Sequence, residues 1–466
     1  MGLTTFVSNL STAQIKGLST NSVKALDTAA VAALKNEQVA ALSSSQLAVI
    51  DNDEISSLKL SNLSTGALAG LTLGQLREIN TDTTDAVALT ASQYAYLSTD
   101  TIGGLLEADL DKLSAGDVGS LTSKQVAALK LDQFSATSVV NLSKDQVGKL
   151  SAAQVTALKD EAAAALTVSQ LEGLSAAGAA GLEAADIAAL FNDATKGAAN
   201  VGALSAKAVA GLGANIAQLD GVGGGALSVD QIKALTTAQV SVLTNDEIDG
   251  WDATKIAALS SQQIQALNVA ELKDTQAGAL TATQIGALDA GKIAAVNKDG
   301  FALWDAAKLG AISAAGAAGL TPDQVASFNT ADVNALNAKA FAALSPTHLA
   351  SLDDGIIAGL KAEHVKALTS AQIVALTDNQ VTALTGAQLK EMSSAQISAF
   401  EDGDIARFTD VELAEMSSAA LKGLQENDFL TLTDAQLDKL TGGKETAFTQ
   451  DQANWIIAAY TETGVQ

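Results

Sequence analysis

From Lys273 to Ile456 the chain reads as 23 consecutive blocks of eight residues, each ending on an apolar residue: Leu280, Leu288, Val296, Trp304, Ile312 and onward. With 48% of the residues hydrophobic, 23 such hits in a row would arise by chance with a probability of roughly 5 × 10⁻⁸, so the period is a structural instruction. The fifth position is apolar in 22 of the 23 blocks, Glu445 being the exception. It precedes the eighth by three residues, so on a short helix both point the same way. The seventh position is most often Ala, small enough for neighbouring helices to approach closely.

The polar positions say where each helix begins. The first position is Ser, Thr, Asp or Asn in 19 of the 23 blocks, the residues whose side-chain oxygens accept from the free N–H groups of a helix start. The fourth is Gln or Glu in 10, which completes a reciprocal capping box. The fullest form, Thr369-Ser370-Ala371-Gln372-Ile373-Val374-Ala375-Leu376, recurs as Ser151 to Leu158 and Thr236 to Leu243. The only two prolines agree with this phase: Pro322 follows the cap Thr321 and Pro346 follows the cap Ser345, the position at which a helix tolerates proline best.

Geometry separates the rival readings of the period. In one continuous α-helix, eight residues turn through about 800°, so the apolar stripe would drift by about 80° per block and bury nothing consistently. In a strand, the fifth and eighth residues would face opposite sides. The pattern therefore predicts an all-α solenoid of very short helices built on the repeat Ser/Thr-x-x-Gln-Val/Ile-x-Ala-Leu. Pieces this short are unstable alone and must stack into one continuous core. Val365, Leu368, Ile373 and Leu376 are expected inside, with the second and third positions outside. No superperiod of two or three blocks is visible, so two or three blocks per coil both remain open.

The phase breaks outline the chain. Leu18, Leu26, Leu34, Leu42, Ile50 and Leu58 are in register, and three five-residue blocks, 59–63, 130–134 and 268–272, replace octads as what read as short corners. Residues 191–227, with Gly221-Val222-Gly223-Gly224-Gly225, interrupt the pattern more heavily. The expected organisation is an N-terminal octad arm over 1–190, a Gly-rich hinge over 191–227, a C-terminal octad arm over 228–456 and a tail over 457–466. The glycine run lacks the following Lys-Ser/Thr and the preceding strand of a phosphate loop.

A formal charge of −25 and a pI near 4.3 argue against nucleic acid and anionic membranes as partners. No apolar run approaches the length a helix needs to cross a bilayer, so no span is expected. Met1-Gly2-Leu3-Thr4-Thr5-Phe6 does not open a cleavable signal peptide. The absence of cysteine removes disulfides and thiol chemistry. In acidity, lack of cysteine, richness in Ala, Gly, Thr and Ser, and internal repetition, the chain resembles bacterial surface proteins exported without an N-terminal signal. That resemblance implies an extracellular or cell-surface location, the cytoplasm being the alternative. The end of the chain, with Trp455 and Tyr460, reads either as an export signal or as a cap over the last coil. Leu320-Thr321-Pro322-Asp323-Gln324-Val325 is similar to the opening of a transcription-activator-like effector repeat. The period of eight and the negative charge separate the two, leaving capping chemistry as what they share.

Candidate chemistry is sparse. His348 and His364 both stand at fourth positions, two blocks apart, and would meet on one face if two blocks made a coil; Glu363 could then supply oxygen to a metal. As helix-start residues, each replaces the usual Gln. Asp51-Asn52-Asp53-Glu54 and Glu401-Asp402-Gly403-Asp404 offer oxygens to calcium, yet all lie where acids favour the positive end of a helix. No catalytic, cofactor-binding or metal site is assigned, and an enzyme is not expected. Two functions fit: a self-associating structural protein of a bacterial extracellular filament, sheath or surface layer, and a solenoid scaffold or adhesin stalk binding protein partners along one face. Apolar residues at both ends, Phe6 and Val7 at one and Trp455 and Ile456 at the other, favour a homo-oligomer or polymer.

Overall fold

The computed structural model describes residues 2–81 and 89–463, without the side chains of 462 and 463. Met1 and 464–466 of the expected tail lie outside the described residues. The described chain is all-helical, 64% helix with no strand, and falls into two compact units, 1–250 and 251–466.

Each unit is a solenoid of helices four to six residues long in most blocks. The caps fall where the pattern places them. In helix Ser370–Val374, Thr369 accepts from the Gln372 amide while the Gln372 side chain accepts from the Thr369 amide, and Pro322 and Pro346 open their helices. The helix ends between the fifth and the seventh position. The eighth residue is extended, as at Leu384 and Leu288, and a new cap begins.

The number of blocks per coil is three. Helix Thr12–Gly17 packs on Asn36–Val39, Ala338–Ala342 on Ala362–Ala367, and Asp354–Ala358 on Asp378–Ala383, each pair one coil and three blocks apart. Fifth and eighth residues fill the interior; Val365, Leu368 and Ile373 are buried. Leu376, expected there with them, is only half-buried. Seventh positions set the distance between stacked helices. A Cβ on Gly319 would lie 2.0 Å from the Ala290 carbonyl oxygen, and one on Gly423 2.1 Å from that of Ser394.

The five-residue blocks are not corners. Each is a complete side of its coil, folded as a single 3₁₀ turn: Leu60–Asn62, Leu131–Gln133 and Val269–Glu271. They keep the one feature the core requires, two apolar residues three apart. Leu60 and Leu63, Leu131 and Phe134, and Val269 and Leu272 are all buried. The Gly-rich segment expected as a hinge between the two arms, 191–227, is also helical, with Gly197–Ala203, Ala206–Gly211, a 3₁₀ stretch Gly213–Gln218, and Gly221–Ala226, whose glycines Gly223 and Gly224 are buried behind the cap Asp220. Helix Gln450–Thr463 continues past the last octad and packs on Glu426–Thr431 and Asp434–Thr441. No described helix is long and apolar enough to cross a membrane.

Candidate functional site

The fourth-position glutamine carries a second role that the capping pattern does not reveal. Its Oε1 accepts from the cap amide, and its Nε2 turns inward to donate to carbonyls of the preceding coil. Gln396 accepts from Ser393 N at 2.9 Å and donates to Val365 O at 2.7 Å and Leu368 O at 2.9 Å. Gln46 repeats the geometry on Ile15 O and Leu18 O at 2.8 and 2.9 Å. The acceptors are the fifth and eighth residues of the block that closes the corner beneath, 31 and 28 residues back. Where a five-residue side intervenes the offsets shrink to 28 and 25, as at Gln146 on Val118 O and Leu121 O. These rungs lie buried; they satisfy the eighth-residue carbonyl and give a second donor to the fifth, which already accepts from the eighth residue's amide.

Other residues occupy the same place with the donor they have. Lys444 Nζ, its pKa lowered by burial, reaches Met416 O at 3.0 Å. Where the fourth residue is Gly300 or Ala340, the cap asparagine donates instead, Asn297 to Leu272 O and Asn337 to Ile312 O. His364 is such a rung: fully buried and edge-on to Phe341, it is 2.8 Å through Nε2 from Leu336 O, while Nδ1 has no partner among the described residues. His348 stands two blocks away and therefore on another side of the coil, its pKa lowered by burial. With three blocks per coil the two imidazoles do not share a face, and Glu363 is exposed.

Acids at the fourth position keep the cap but have nothing to donate. Burial alone would raise the Asp109 pKa, but the Arg77 guanidinium, 2.9 Å away, and the Leu106 amide hold it below the usual range. Asp428 has the Gln425 amide, 2.7 Å away, to lower its pKa, but the opposing effects are larger. Burial first, then the charges of Asp402 and Asp404, push its pKa up. The Glu54 pKa is likewise raised, mainly by burial and then by Asp51. Asp404 accepts from the Glu401 amide at 3.0 Å and faces Arg407 Nε at 3.4 Å. Among the described residues no group of three or more His, Asp or Glu could hold a metal ion.

Three blocks per coil also uncover an order in charge. In the second unit, the side built from the blocks starting at 305, 329, 353, 377, 401, 425 and 449 carries eleven acidic residues against Lys308 and Arg407. The side starting at 297 carries three of each sign through 448, and the side starting at 289 eight acids and six bases through 440. Along the edge leading into the acidic side lie two cavities of about 260 and 250 Å³. Phe301, Trp304, Phe328 and Asp332 line the first, and Val325, Phe328, Leu352 and Asp353 line the second. No protein family matches the chain, and no curated protein matches its sequence.

Proposed function

We propose that this chain is a structural, self-associating repeat protein, a subunit of a bacterial extracellular filament, sheath or surface layer. The glutamine rung carries this reading. Block after block, the most versatile polar side chain is committed to bonding one coil to the next, and little of the repeat is left free for a unique site. The acidic, cysteine-free composition fits an exposed location. Negative-stain images of the purified protein over a concentration series test it: fibres or sheets that grow with concentration are expected, and isolated particles at every concentration would refute self-association.

A second reading, a scaffold that binds protein partners along one face, draws support from the segregation of charge onto one side of the second unit and from the cavities at its edge. Binding of a partner that disappears when that side alone is neutralised would favour it.

A further inference from the structure

The two edge cavities are one site repeated a coil apart. Phe301, Ala302 and Trp304 in the first correspond to Val325, Ala326 and Phe328 in the second, three blocks later; Ser327, Phe328, Asn329 and Asp332 correspond to Ser351, Leu352, Asp353 and Ile356. The cause is local. Asp332 and Ile356 are fourth-position residues, and at the usual offsets a glutamine there would donate to Phe301 O and Trp304 O, and to Val325 O and Phe328 O. Asp332 instead spends Oδ2 on the Asn329 amide at 3.0 Å, and Ile356 has no donor. Two successive rungs are thus missing, and the space each side chain would fill is open beside backbone acceptors.

We infer that this edge binds a cationic segment of a partner protein in polyproline-II conformation, placing one lysine in each cavity and completing the two missing rungs in trans. The inference rests on the scaffold reading and is independent of self-association. The chain supplies its own precedent, since Lys308 Nζ donates to Gly278 O at 2.6 Å and Lys444 Nζ to Met416 O at 3.0 Å from the same block position. Lysine stems would lie on Phe328 and Trp304, where aliphatic burial and the aromatic faces both favour them. Asp305, Asp332 and Asp353 supply the opposing charge. Each cavity, at about 250–260 Å³, has room for one long side chain and lies below the usual range for a drug-sized ligand. Spacing selects the conformation: stacked helices are about 8–10 Å apart, and a polyproline-II segment returns a side chain to one face every third residue, about 9.3 Å along its axis.

The test uses the full-length protein and a fluorescein-labelled peptide, Ser-Lys-Pro-Pro-Lys-Pro-Pro-Ser, read by fluorescence anisotropy at physiological salt. Comparison peptides carry glutamate or norleucine for both lysines, or place the lysines side by side. The double variant Asp332→Gln/Ile356→Gln fills both cavities from within and restores the rungs, so it should melt no lower than the parent. It should bind the lysine peptide at least about tenfold more weakly. Asp451→Asn removes one charge from the same side away from the cavities and should leave the Kd within about twofold. Equal binding to the parent and the double variant would overturn the site while leaving a scaffold role standing. Binding that ignores lysine spacing would overturn the two-cavity register, and failure of every peptide to bind would remove the scaffold reading as well.

Discussion

Glutamine and glutamate close a capping box equally well, so exchanging them isolates the inward half of the rung. Gln396→Glu keeps an oxygen for the Ser393 amide but turns a carboxylate toward the carbonyls of Val365 and Leu368. An uncompensated buried charge costs about 3–5 kcal/mol, against about 1–3 for the orphaned groups left by Gln396→Ala. Thermal melts at pH 7 should therefore rank Glu below Ala, and the order should relax in acid, where the protonated side chain donates again. Identical losses would mean that Nε2 contributes nothing. Asp428 is the natural counterpart. Its raised pKa means that the folded state resists its ionisation, so the penalty is absent below the ordinary carboxylate range and grows as pH rises through the folded value. Asp428→Asn should raise the melting temperature at pH 7 and lose that advantage near pH 3; a gain independent of pH would assign the effect to packing. The rung left a trace in the sequence, since nine of the ten fourth-position Gln or Glu residues between 273 and 456 are Gln. Capping alone would not favour the amide so strongly, but the acceptors lie in another coil, and their distance along the chain depends on the number of sides.

At the scale of the helix, the octad determines what is inside and leaves the spacing between stacked helices to the seventh residue. Gly319 sits so close to Ala290 that Gly319→Ala should cost about 1–3 kcal/mol by over-packing. Gly202, with nothing within 4 Å of its would-be Cβ, should tolerate Ala and gain about 0.5–1 kcal/mol from better helix propensity. Chemical denaturation of the two variants checks the contrast, and similar effects would deny the close approach. Coil length makes a second claim. Deleting 377–400 removes one whole coil and returns every later block to its own side. Removing only one or two of those three blocks keeps the caps in phase but rotates later blocks onto foreign sides, and removing half a block breaks the phase itself. Melting temperatures should fall least for the whole coil, more for one or two blocks, and most for the half block; equal tolerance of all four deletions would refute the three-sided coil. Helix starts and the apolar pair were legible because each is decided within one block. The five-residue sides were visible as phase changes but misread as corners, because periodicity records that Leu60 and Leu63 remain three apart without recording that a 3₁₀ turn can span a side. For the half-buried Leu376 we have no physical account.

For the whole molecule, the formal charge of −25 matters through its placement. Eleven acids against two bases on one side of the second unit repel along the stack, and nothing in the linear sequence displays this until residues three blocks apart are known to be neighbours. Raising sodium chloride from about 10 mM to about 0.5 M shortens the screening length from about 30 to a few ångströms, and the melting temperature should rise with it. A flat response would mean that these charges are too well solvated to interact. The edge cavities were hidden for the same reason, since Asp332 and Ile356 are ordinary substitutions until the glutamines they replace are known to reach another coil.

The fourth-position glutamine rungs share one sense, from donor to an acceptor 25 to 33 residues earlier in the chain. A coil leaving the ribosome thus finds its hydrogen-bond acceptors already synthesised and does not wait for a distant segment. Contacts this local favour rapid folding, and the order of synthesis can serve as the order of assembly. The nascent chain becomes its own template, with each finished turn receiving the next and only the newest coil or so awaiting its place.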